Sequence, residues 1–382
     1  MIKKLGWLLG LLLLTSCGGG SNVASNGVGS GGTGSYTSGP VSGLGSIIVN
    51  GVRYDVDEAT VADDDETAGF DRSGLKLGMF VEVQGSVITA GSGAQADSAV
   101  ATSVRVVSDF IGRVGIPSGS AGASITLFGH QIDIDSKTVL SEAVNPGDYV
   151  AVYGLVSATG YTATRIDKLS SPPELYKAAG VVRNLDTGQQ QFDLGDHTFR
   201  YGGAISIPDG LRNGALVRVW WRQPQPLTSP IQLFKLKRAG AAVLNSNVAR
   251  IRGLIAEWTN PNHFVVNGVT VDASSASKPG TLADGVRVEV EGKMVNGVLV
   301  ATAVEEETQS DIDDGEVELH GRASAASLTQ LTVRGVSVAY TTAVSGGVPV
   351  VDNQCIEVRG KAYNNSGQLI ATRVSNDSSC RP

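Results

Sequence analysis

Residues 78–85 read Gly-Met-Phe-Val-Glu-Val-Gln-Gly, and this stretch indicates how the whole chain is organised. Its pattern, Gly-x-x-Val-x-Val-x-Gly, occurs five times with small variations. The copies are Gly78–Gly85, Gly147–Gly154, Gly214–Trp221, Gly285–Gly292 and Asn353–Gly360. Their last positions are separated by 69, 67, 71 and 68 residues. A period this regular predicts one small folding unit repeated five times in tandem.

The composition of the motif predicts a buried strand that follows a tight turn. Its two branched residues are two positions apart, so in a strand they point to one face, which we expect to be the core. The first glycine suits a position with positive φ. Asn353 takes that place in the fifth copy, and asparagine tolerates positive φ better than most residues. Trp221 replaces the last glycine of the third copy, which is therefore the most divergent.

Each unit carries the signals of about five short strands. Asn50-Gly51 and Asn267-Gly268 stand between β-branched runs, which is the strongest short signal for a hairpin. A variable connection leads to the repeated motif, and a strand such as Ala163–Ile166 ends the unit. An open sheet of this size would have two free edges and an exposed apolar face, and closure removes both. The predicted fold is all-β, a tandem array of five small OB-like β-barrel units, with a small open sandwich as the alternative.

The repeats and the composition divide the chain into segments. Residues 1–16 are expected to form a signal peptide. Residues 17–39 are expected to be a flexible linker, because Gly and Ser dominate and large apolar side chains are almost absent. The predicted repeats are 40–109, 110–170, 174–240 (divergent), 247–309, and 315–382 with the C-terminal tail.

The N-terminus predicts an exported lipoprotein. Lys3 and Lys4 precede the apolar stretch Leu5–Leu14, which is too short for a bilayer span of about 20 residues. Leu14-Thr15-Ser16-Cys17 follows and resembles a bacterial lipobox, in which the cysteine is acylated. We expect Cys17 to anchor the chain in a membrane, with an ordinary signal peptide as the alternative. Because residue 18 is Gly and not Asp, we expect the outer membrane, at its periplasmic face or at the cell surface.

The remaining cysteines, Cys355 and Cys380, both lie in the last repeat. An even pair in an exported protein predicts one disulfide, because the compartment is oxidising. The alternative is two free thiols.

The succession of a hairpin turn, the Gly-x-x-Val-x-Val-x-Gly motif and a final Ala-Thr-x-Val strand resembles the bacterial domain of unknown function 5666. Gly285–Gly292 followed by Ala301–Val304 is a clear example. The resemblance extends over essentially all of 40–379 and is weakest in the third repeat. It implies tandem copies in an exported protein or lipoprotein. It implies no catalytic residue.

No pattern typical of catalysis or of cofactor binding is present. The chain has no Gly-x-Ser-x-Gly elbow and no phosphate-binding loop. The acidic runs Asp63–Glu66 and Asp311–Asp314 lack the spacing of a calcium loop, and we expect them to be solvated. Four histidines fall in four different repeats, which favours surface or turn positions over a metal site: His130, His197, His263 and His320. We therefore predict no enzyme activity, no catalytic residue, no metal site and no cofactor.

Four aromatic residues lie on or next to the repeated strands. With Val217 and Val219 pointing inward, Trp220 should point outward, beside Trp221. Tyr149 and Tyr153 have the same outward phase in the second repeat. Such residues can stack on sugar rings, but we favour the interpretation that they seal the contact between the second and third repeats.

The net charge and the motifs together narrow the classes of function that fit this chain. The formal net charge is −7, and a chain of this sign is a poor partner for nucleic acid. The favoured hypothesis is a membrane-anchored, non-enzymatic structural or binding scaffold whose partner is an unknown envelope protein or glycan. The alternatives are a carbohydrate-binding array that uses exposed aromatics and, disfavoured by the charge, an OB-type nucleic-acid binder.

Overall fold

The computed structural model describes residues 34–92, 96–115, 124–157, 160–203, 205–222, 227–240, 243, 245–308, 310–311, 315–364 and 367–378. These residues form five small closed barrels built from 28 strands. In barrels 4 and 5 the strand order around the closed sheet is first, second, third, fifth, fourth and back to first. Barrel 1 has the same order once a short additional strand, which pairs in parallel with its last strand, is set aside. Barrel 2 joins its first and second strands through the isolated bridge between Gly115 and Thr126, and the strands of barrel 3 lie in two sheets. The third and fifth strands are parallel, and the other neighbours are antiparallel.

Barrels 1 and 2 come first along the chain. Barrel 1 contains β1 (Ser35–Leu44), β2 (Ile47–Val49), β3 (Val52–Asp55), β4 (Thr60–Asp63), β5 (Phe80–Gly85) and β6 (Asp97–Val106), with a 3₁₀ helix at Arg72–Gly74. It closes through β1 and β5, and β3 is parallel to β6. Barrel 2 contains β7 (Phe110–Arg113), β8 (Ser124–Leu127), β9 (His130–Leu140), β10 (Tyr149–Val156) and β11 (Tyr161–Leu169). It closes through β7 and β10, and β9 is parallel to β11.

Barrel 3 is the divergent one, because its first and fifth strands are each interrupted. It contains β12 (Tyr176–Val181), β13 (Arg183–Asp186), β14 (Gln191–Leu194), β15 (His197–Arg200), β16 (Leu216–Trp221), β17 (Ile231–Gln232) and β18 (Lys235–Arg238). Strand β17 pairs with β15, and β18 pairs with β16. The two halves of the fifth strand thereby join opposite sides of the barrel.

Barrels 4 and 5 repeat the same order. Barrel 4 contains β19 (Ser246–Asn260), β20 (His263–Val266), β21 (Val269–Asp272), β22 (Arg287–Val295) and β23 (Val298–Glu306). Barrel 5 contains β24 (Val317–Ser324), β25 (Gln330–Val333), β26 (Val336–Ala339), β27 (Cys355–Tyr363) and β28 (Leu369–Asn376), with a 3₁₀ helix at Thr342–Ser345. Among the described residues, no helix is long and apolar enough to cross a membrane.

The repeated motif has the role that its pattern predicts. Its branched residues are buried in all five barrels: Val81, Val83, Val150, Val152, Val217, Val219, Val288, Val290, Ile356 and Val358. Its first position has positive φ in every copy, including 75° at Gly78 and 65° at Asn353. The prediction that asparagine replaces glycine for its tolerance of positive φ is therefore confirmed.

The last glycine of the motif permits a close approach of the neighbouring strand. A Cβ atom at Gly292 would lie 2.2 Å from the carbonyl oxygen of Val300, where the ladder between β22 and β23 shifts register. In barrel 3 the ladder between β16 and β18 ends at Trp220. Trp221 instead packs in the core, with its ring centroid 4.7 Å from that of Phe128.

The linker predicted over 17–39 extends too far. Strand β1 begins at Ser35, so residues 35–39 belong to barrel 1, and residues 17–33 lie outside the described residues. Gly39 occupies the place that Gly253 has in barrel 4. A Cβ atom at either glycine would lie within 2.3 Å of the amide oxygen of the hairpin asparagine, Asn50 or Asn267. Glycine is needed there because this asparagine side chain covers the first strand.

Barrel 1 contacts each of the other four barrels. Ser35–Ser38 of β1 pair in parallel with β19 of barrel 4. Gly43 and Leu44 pair with β24 of barrel 5. Thr164 of barrel 2 donates a 2.7 Å hydrogen bond to the carbonyl oxygen of Gly78. The contact with barrel 3 is made of charged side chains and forms the candidate site.

Candidate functional site

The acidic run Asp63–Glu66 was expected to be solvated, and this expectation is wrong for Asp64 and Asp65, whereas Glu66 is exposed. The run follows β4, which pairs with β6, and Asp64 N continues the pairing with a 2.9 Å hydrogen bond to the carbonyl oxygen of Val106. Asp64 is only 4% exposed. This pairing directs Asp64, Asp65 and Glu66 toward barrel 3, where they form ion pairs with lysine side chains.

Lys177 is the centre of this contact. It lies on β12, whose neighbouring residues Tyr176 and Ala178 point into the core of barrel 3, so Lys177 points to the other face. Its side chain is 0% exposed. Its Nζ donates hydrogen bonds of 2.6 Å to Asp64 Oδ1, 3.0 Å to Asp65 Oδ1 and 2.9 Å to Ser108 Oγ. A buried ammonium group is tolerated only with such partners, because leaving water costs several kcal/mol.

Trp220 lies opposite Lys177 in the ladder between β12 and β16. Its Nε1 donates a 2.7 Å hydrogen bond to Asp65 Oδ1. The Nζ atoms of Lys177 and Lys235 lie 4.7 Å and 4.6 Å from its ring centroid. The indole ring therefore lies close to two ammonium groups, a favourable cation–π geometry.

Further ion pairs surround this centre. Glu66 accepts hydrogen bonds from Lys235 at 2.8 Å and from Lys237 at 3.1 Å. On the inner side, Arg218 Nε lies 3.1 Å from Asp109 Oδ1, and both side chains are buried. Four acids thus face four bases, and we call this set the hub cluster: Asp64, Asp65, Glu66, Asp109, Lys177, Arg218, Lys235 and Lys237.

Burial and charge pairing shift the pKa values of several members of the hub cluster. Burial raises the pKa of the Asp109 carboxyl in spite of Arg218 and Lys177. Burial alone would raise the pKa of the Asp65 carboxyl, but Lys177, Trp220 and Ser108 outweigh it and hold the pKa below its ordinary value. Burial lowers the pKa of Arg218, whereas Asp109 and its neighbours raise it, with a net rise. No buried polar side-chain atom of the cluster is without a partner in the described part of the chain. A fully paired set of charges is suited to holding barrels together.

The other aromatic residues singled out in the sequence also lie between barrels or in cores. Trp220 points away from the core of its own barrel, as its phase predicts, but it is 1% exposed because the acidic run of barrel 1 covers it. Its hydrogen bond is with Asp65 of barrel 1, whereas a contact with barrel 2 was expected. Tyr149 packs against the core that barrels 2 and 3 share, and Tyr153 packs against Phe80 of barrel 1 and its apolar neighbours.

A second charged cluster, which we call the His320 cluster, lies between barrels 1 and 5. His320 Nδ1 lies 2.9 Å from Asp377 Oδ2, and its Nε2 faces Glu318 and lies 3.0 Å from Arg53 Nη2. Burial would raise the pKa of Glu318, but His320, Arg53 and Arg359 lower it to about 2. The pKa of His320 is raised because its two carboxylate partners outweigh burial.

The His320 cluster also brings together groups that could bind a metal. One ligand atom each of Glu318, His320 and Glu357 lies within 4.8 Å of the others. The guanidinium groups of Arg53 and Arg359 already pair with Glu318 in this space. Two resident cations oppose a third, so the arrangement favours an ion-pair network over a metal centre.

Four segments of the chain match the family model described as Domain of unknown function (DUF5666). They are residues 38–93, 116–167, 252–305 and 320–375, and together they cover more than half of the chain. The chain belongs to this family. The four DUF5666 segments coincide with barrels 1, 2, 4 and 5. Barrel 3 is unmatched, in agreement with its split fifth strand and its Trp221. A comparison with curated proteins gave no match.

The four histidines of the chain occupy different environments. The expectation was a surface or turn position: His130 directly follows the turn between β8 and β9 but is buried, and His320 departs from the expectation because it lies in a strand within the ion-pair cluster. His263 is exposed at the start of β20. His197 is partly buried at the start of β15.

The predicted cysteine sites are described only in part. Cys355 begins β27 and is disulfide-bonded. Cys17 and Cys380 lie outside the described residues, as do Asp313 and Asp314 of the second acidic run. The pairing of Cys355 with Cys380 and the lipidation of Cys17 therefore stay predictions.

Neither Lys177 nor Arg218 was predicted from the sequence to be a site residue. Each is a single basic residue in a predicted strand, and strand alternation indicates only that it points away from its own barrel core. The partners, Asp64 and Asp109, are far away in the sequence. No local signal could have identified these pairs.

Proposed function

We propose that this DUF5666 protein is a lipid-anchored, non-enzymatic scaffold of the bacterial envelope, with barrel 1 as the hub to which the other barrels are attached. The observation that carries the proposal is the burial of Lys177 between two carboxylates of barrel 1. If barrels 1 and 3 separated, the lysine would lose both partners. The two barrels are therefore expected to stay together.

The remaining contacts of barrel 1 support the same role. Strand β1 of barrel 1 pairs with β19 of barrel 4 and with β24 of barrel 5. Backbone hydrogen bonds therefore join both barrels to the hub. Arg165 of barrel 2 donates a 2.9 Å hydrogen bond to the carbonyl oxygen of Leu77. An arrangement with four neighbours on one barrel suits a protein that presents several surfaces at fixed positions.

The proposed location follows from the lipobox-like sequence that ends at Cys17. Acylation there would hold the hub at the outer membrane, at the periplasmic face or at the cell surface. The proposed partner is an envelope protein or a glycan. A carbohydrate array built on exposed aromatics is not proposed, because Trp220 and Trp221 are buried.

Complementation of a deletion strain tests the scaffold proposal. The strain would carry the wild-type protein, Lys177→Met or Lys237→Met, each at equal abundance in the membrane fraction, and its resistance to detergent would be measured. Lys237 is on the exposed rim of the hub cluster and serves as the matched control. We expect Lys177→Met to fail and Lys237→Met to complement. Full complementation by a Lys177→Met protein whose barrels have separated, as shown by rapid proteolysis between them, would refute the scaffold proposal.

A further inference from the structure

A cavity of about 260 Å³ lies where a turn of barrel 2 meets a turn of barrel 3. Gly129 lies in the turn between β8 and β9 and His130 begins β9, whereas Gly195 and Asp196 form the turn between β14 and β15. Tyr161 and Arg183 complete the polar part of the lining.

The two turns are packed tightly against each other. A Cβ atom at Gly195 would lie 2.3 Å from Cε1 of the His130 ring, and one at Gly129 would lie 2.5 Å from Asp196 Oδ2. Each glycine therefore makes room for a side chain of the opposite barrel. The walls of the cavity are held in place by this contact.

His130 is the most buried polar residue of the lining. It is 8% exposed and packs against the rings of Phe110 and Tyr161, at centroid distances of 5.6 Å and 4.9 Å. Its Nε2 has no hydrogen-bond partner in the described part of the chain. Burial lowers its pKa to about 4, so the imidazole is neutral at ordinary pH. A buried ring nitrogen without a partner is costly unless something else satisfies it.

The other polar groups of the cavity are also unpaired. The hydroxyl of Tyr161, the guanidinium of Arg183 and the carboxylate of Asp196 have no hydrogen-bond or ion-pair partner among the residues that the structure describes. In the hub cluster, by contrast, each charged side chain has a partner. The cavity thus brings together one buried imidazole without a partner and two exposed side chains of opposite charge that have no partner within the described residues, and this combination indicates a binding site for a ligand with both charges.

We propose that this cavity binds a small zwitterion, a free α-amino acid. Arg183 is suited to the carboxylate, because its planar guanidinium matches a carboxylate with two parallel hydrogen bonds. Asp196 is suited to the ammonium group. A simple anion would be repelled by Asp196 and a simple cation by Arg183. His130 and Tyr161 supply uncharged hydrogen-bonding positions, and the volume lies just below the range of about 300–1,000 Å³ for drug-sized ligands, so it fits a small molecule.

Calorimetric titration of the full-length protein, purified in detergent, tests this site. The probes are glycine, L-alanine and L-lactate, each at millimolar concentration. We expect saturable binding of the two amino acids and weaker binding of lactate, which lacks the ammonium group. Absence of saturable binding by both amino acids, or lactate binding as tightly as alanine, would overturn the assignment.

Substitution of Arg183 and of Asp196 tests which charged group of the ligand each side chain binds. Arg183→Gln should weaken the binding of both amino acids by about tenfold or more, because a charge-assisted pair is lost. Asp196→Asn should weaken the binding of the amino acids by a similar factor. The binding of lactate should be unchanged or tighter. Neither side chain has an internal partner among the described residues, so both variants should keep the wild-type melting temperature. Arg373→Gln, an exposed arginine of barrel 5, is the control. Amino-acid binding that is equal in wild type and Arg183→Gln would exclude the site.

Discussion

Lys177 Nζ lies 2.6 Å from Asp64 Oδ1, and both side chains are almost fully removed from solvent although they belong to different barrels. The pair is 113 residues apart in the chain. Because a buried charge is stable only with its partner, this one contact links the folding of barrel 3 to that of barrel 1.

Lys177→Met should lower the free energy of unfolding by about 3–5 kcal/mol, since it leaves Asp64 and Asp65 buried without a cation. Urea unfolding of the full-length protein measures this. Adding Asp64→Asn and Asp65→Asn to the same chain should recover much of the loss, because the unpaired charges are then gone. Lys237→Met, on the exposed rim, should cost at most about 1 kcal/mol. Equal losses for Lys177→Met and Lys237→Met would contradict the central role of Lys177.

Cys17→Ser should release the protein from the membrane. The serine hydroxyl cannot replace the thiol that is acylated in a lipoprotein, so no lipid would hold the chain. Fractionation of cells that express the wild type or the variant, followed by immunoblotting, gives the distribution. Retention of the variant in the membrane fraction, at the level of the wild type, would show that the anchor lies elsewhere.

The disulfide at Cys355 should have Cys380 as its partner. Reaction of the exported, unfolded protein with a thiol reagent should give no modification of Cys355 in the wild type and one new free thiol in Cys380→Ser. Cys355→Ser and Cys380→Ser should each cost about 3 kcal/mol, the expected value for closing a loop of about 25 residues. The double variant should cost no more than either single one. A blocked Cys355 in the Cys380→Ser protein would point to another partner.

His130 and His320 should give opposite dependences of stability on pH. The pKa of His130 is lowered to about 4 by burial. Between pH 6.5 and 4, this histidine therefore binds a proton more readily in the unfolded chain than in the folded protein. Stability from this residue is complete above pH 6.5 and falls by up to about 3 kcal/mol as the pH drops through that window. The pKa of His320 is raised, so its contribution is complete below pH 6.5 and is lost as the pH rises through its folded value.

Melting temperatures across pH 4 to 8 for two variants test this pair. His130→Leu should reduce the loss of stability at acid pH, because no buried base is left to protonate. His320→Gln should reduce the loss on the alkaline side and leave the acid side unchanged. If the melting temperature of either variant depends on pH as in the wild type, the substituted histidine does not cause the loss of stability on that side of the pH range.

Gly39→Ala should destabilise barrel 1. The added Cβ would lie 2.3 Å from Asn50 Oδ1, and this side chain is held by a 3.0 Å hydrogen bond to the carbonyl oxygen of Ser38. We expect a cost of roughly 1–3 kcal/mol in urea unfolding, typical of overpacking. Gly280→Ala is the matched control, because no atom lies within 4 Å of its Cβ position, and it should change stability by less than about 0.5 kcal/mol. A Gly39→Ala protein as stable as the control would mean that Asn50 moves aside freely.

The sequence correctly predicted features that depend on interactions within a single barrel. The spacing of Val81 and Val83 identified a buried strand, and Asn353 in place of glycine identified a turn with positive φ. The boundary at residue 40 was wrong because Gly39 and Ser35–Ser38 look like linker residues, yet they form a strand. Small polar residues fit there only because β19 and β5 supply backbone partners on both sides.

The sequence by itself determined the five-fold repeat, the all-β class and the positions of turns, because these depend on the alternation and the φ preferences of neighbouring residues. The tertiary structure alone decided that Asp64 and Asp65 are covered, that Trp220 lies between two lysines and that His130 Nε2 lacks a partner among the described residues. The physical reason is that the environment of a charged or aromatic side chain is set by whatever packs on it. For Asp64 and Lys177, that partner is in another barrel, and only the docking of the barrels brings the two together.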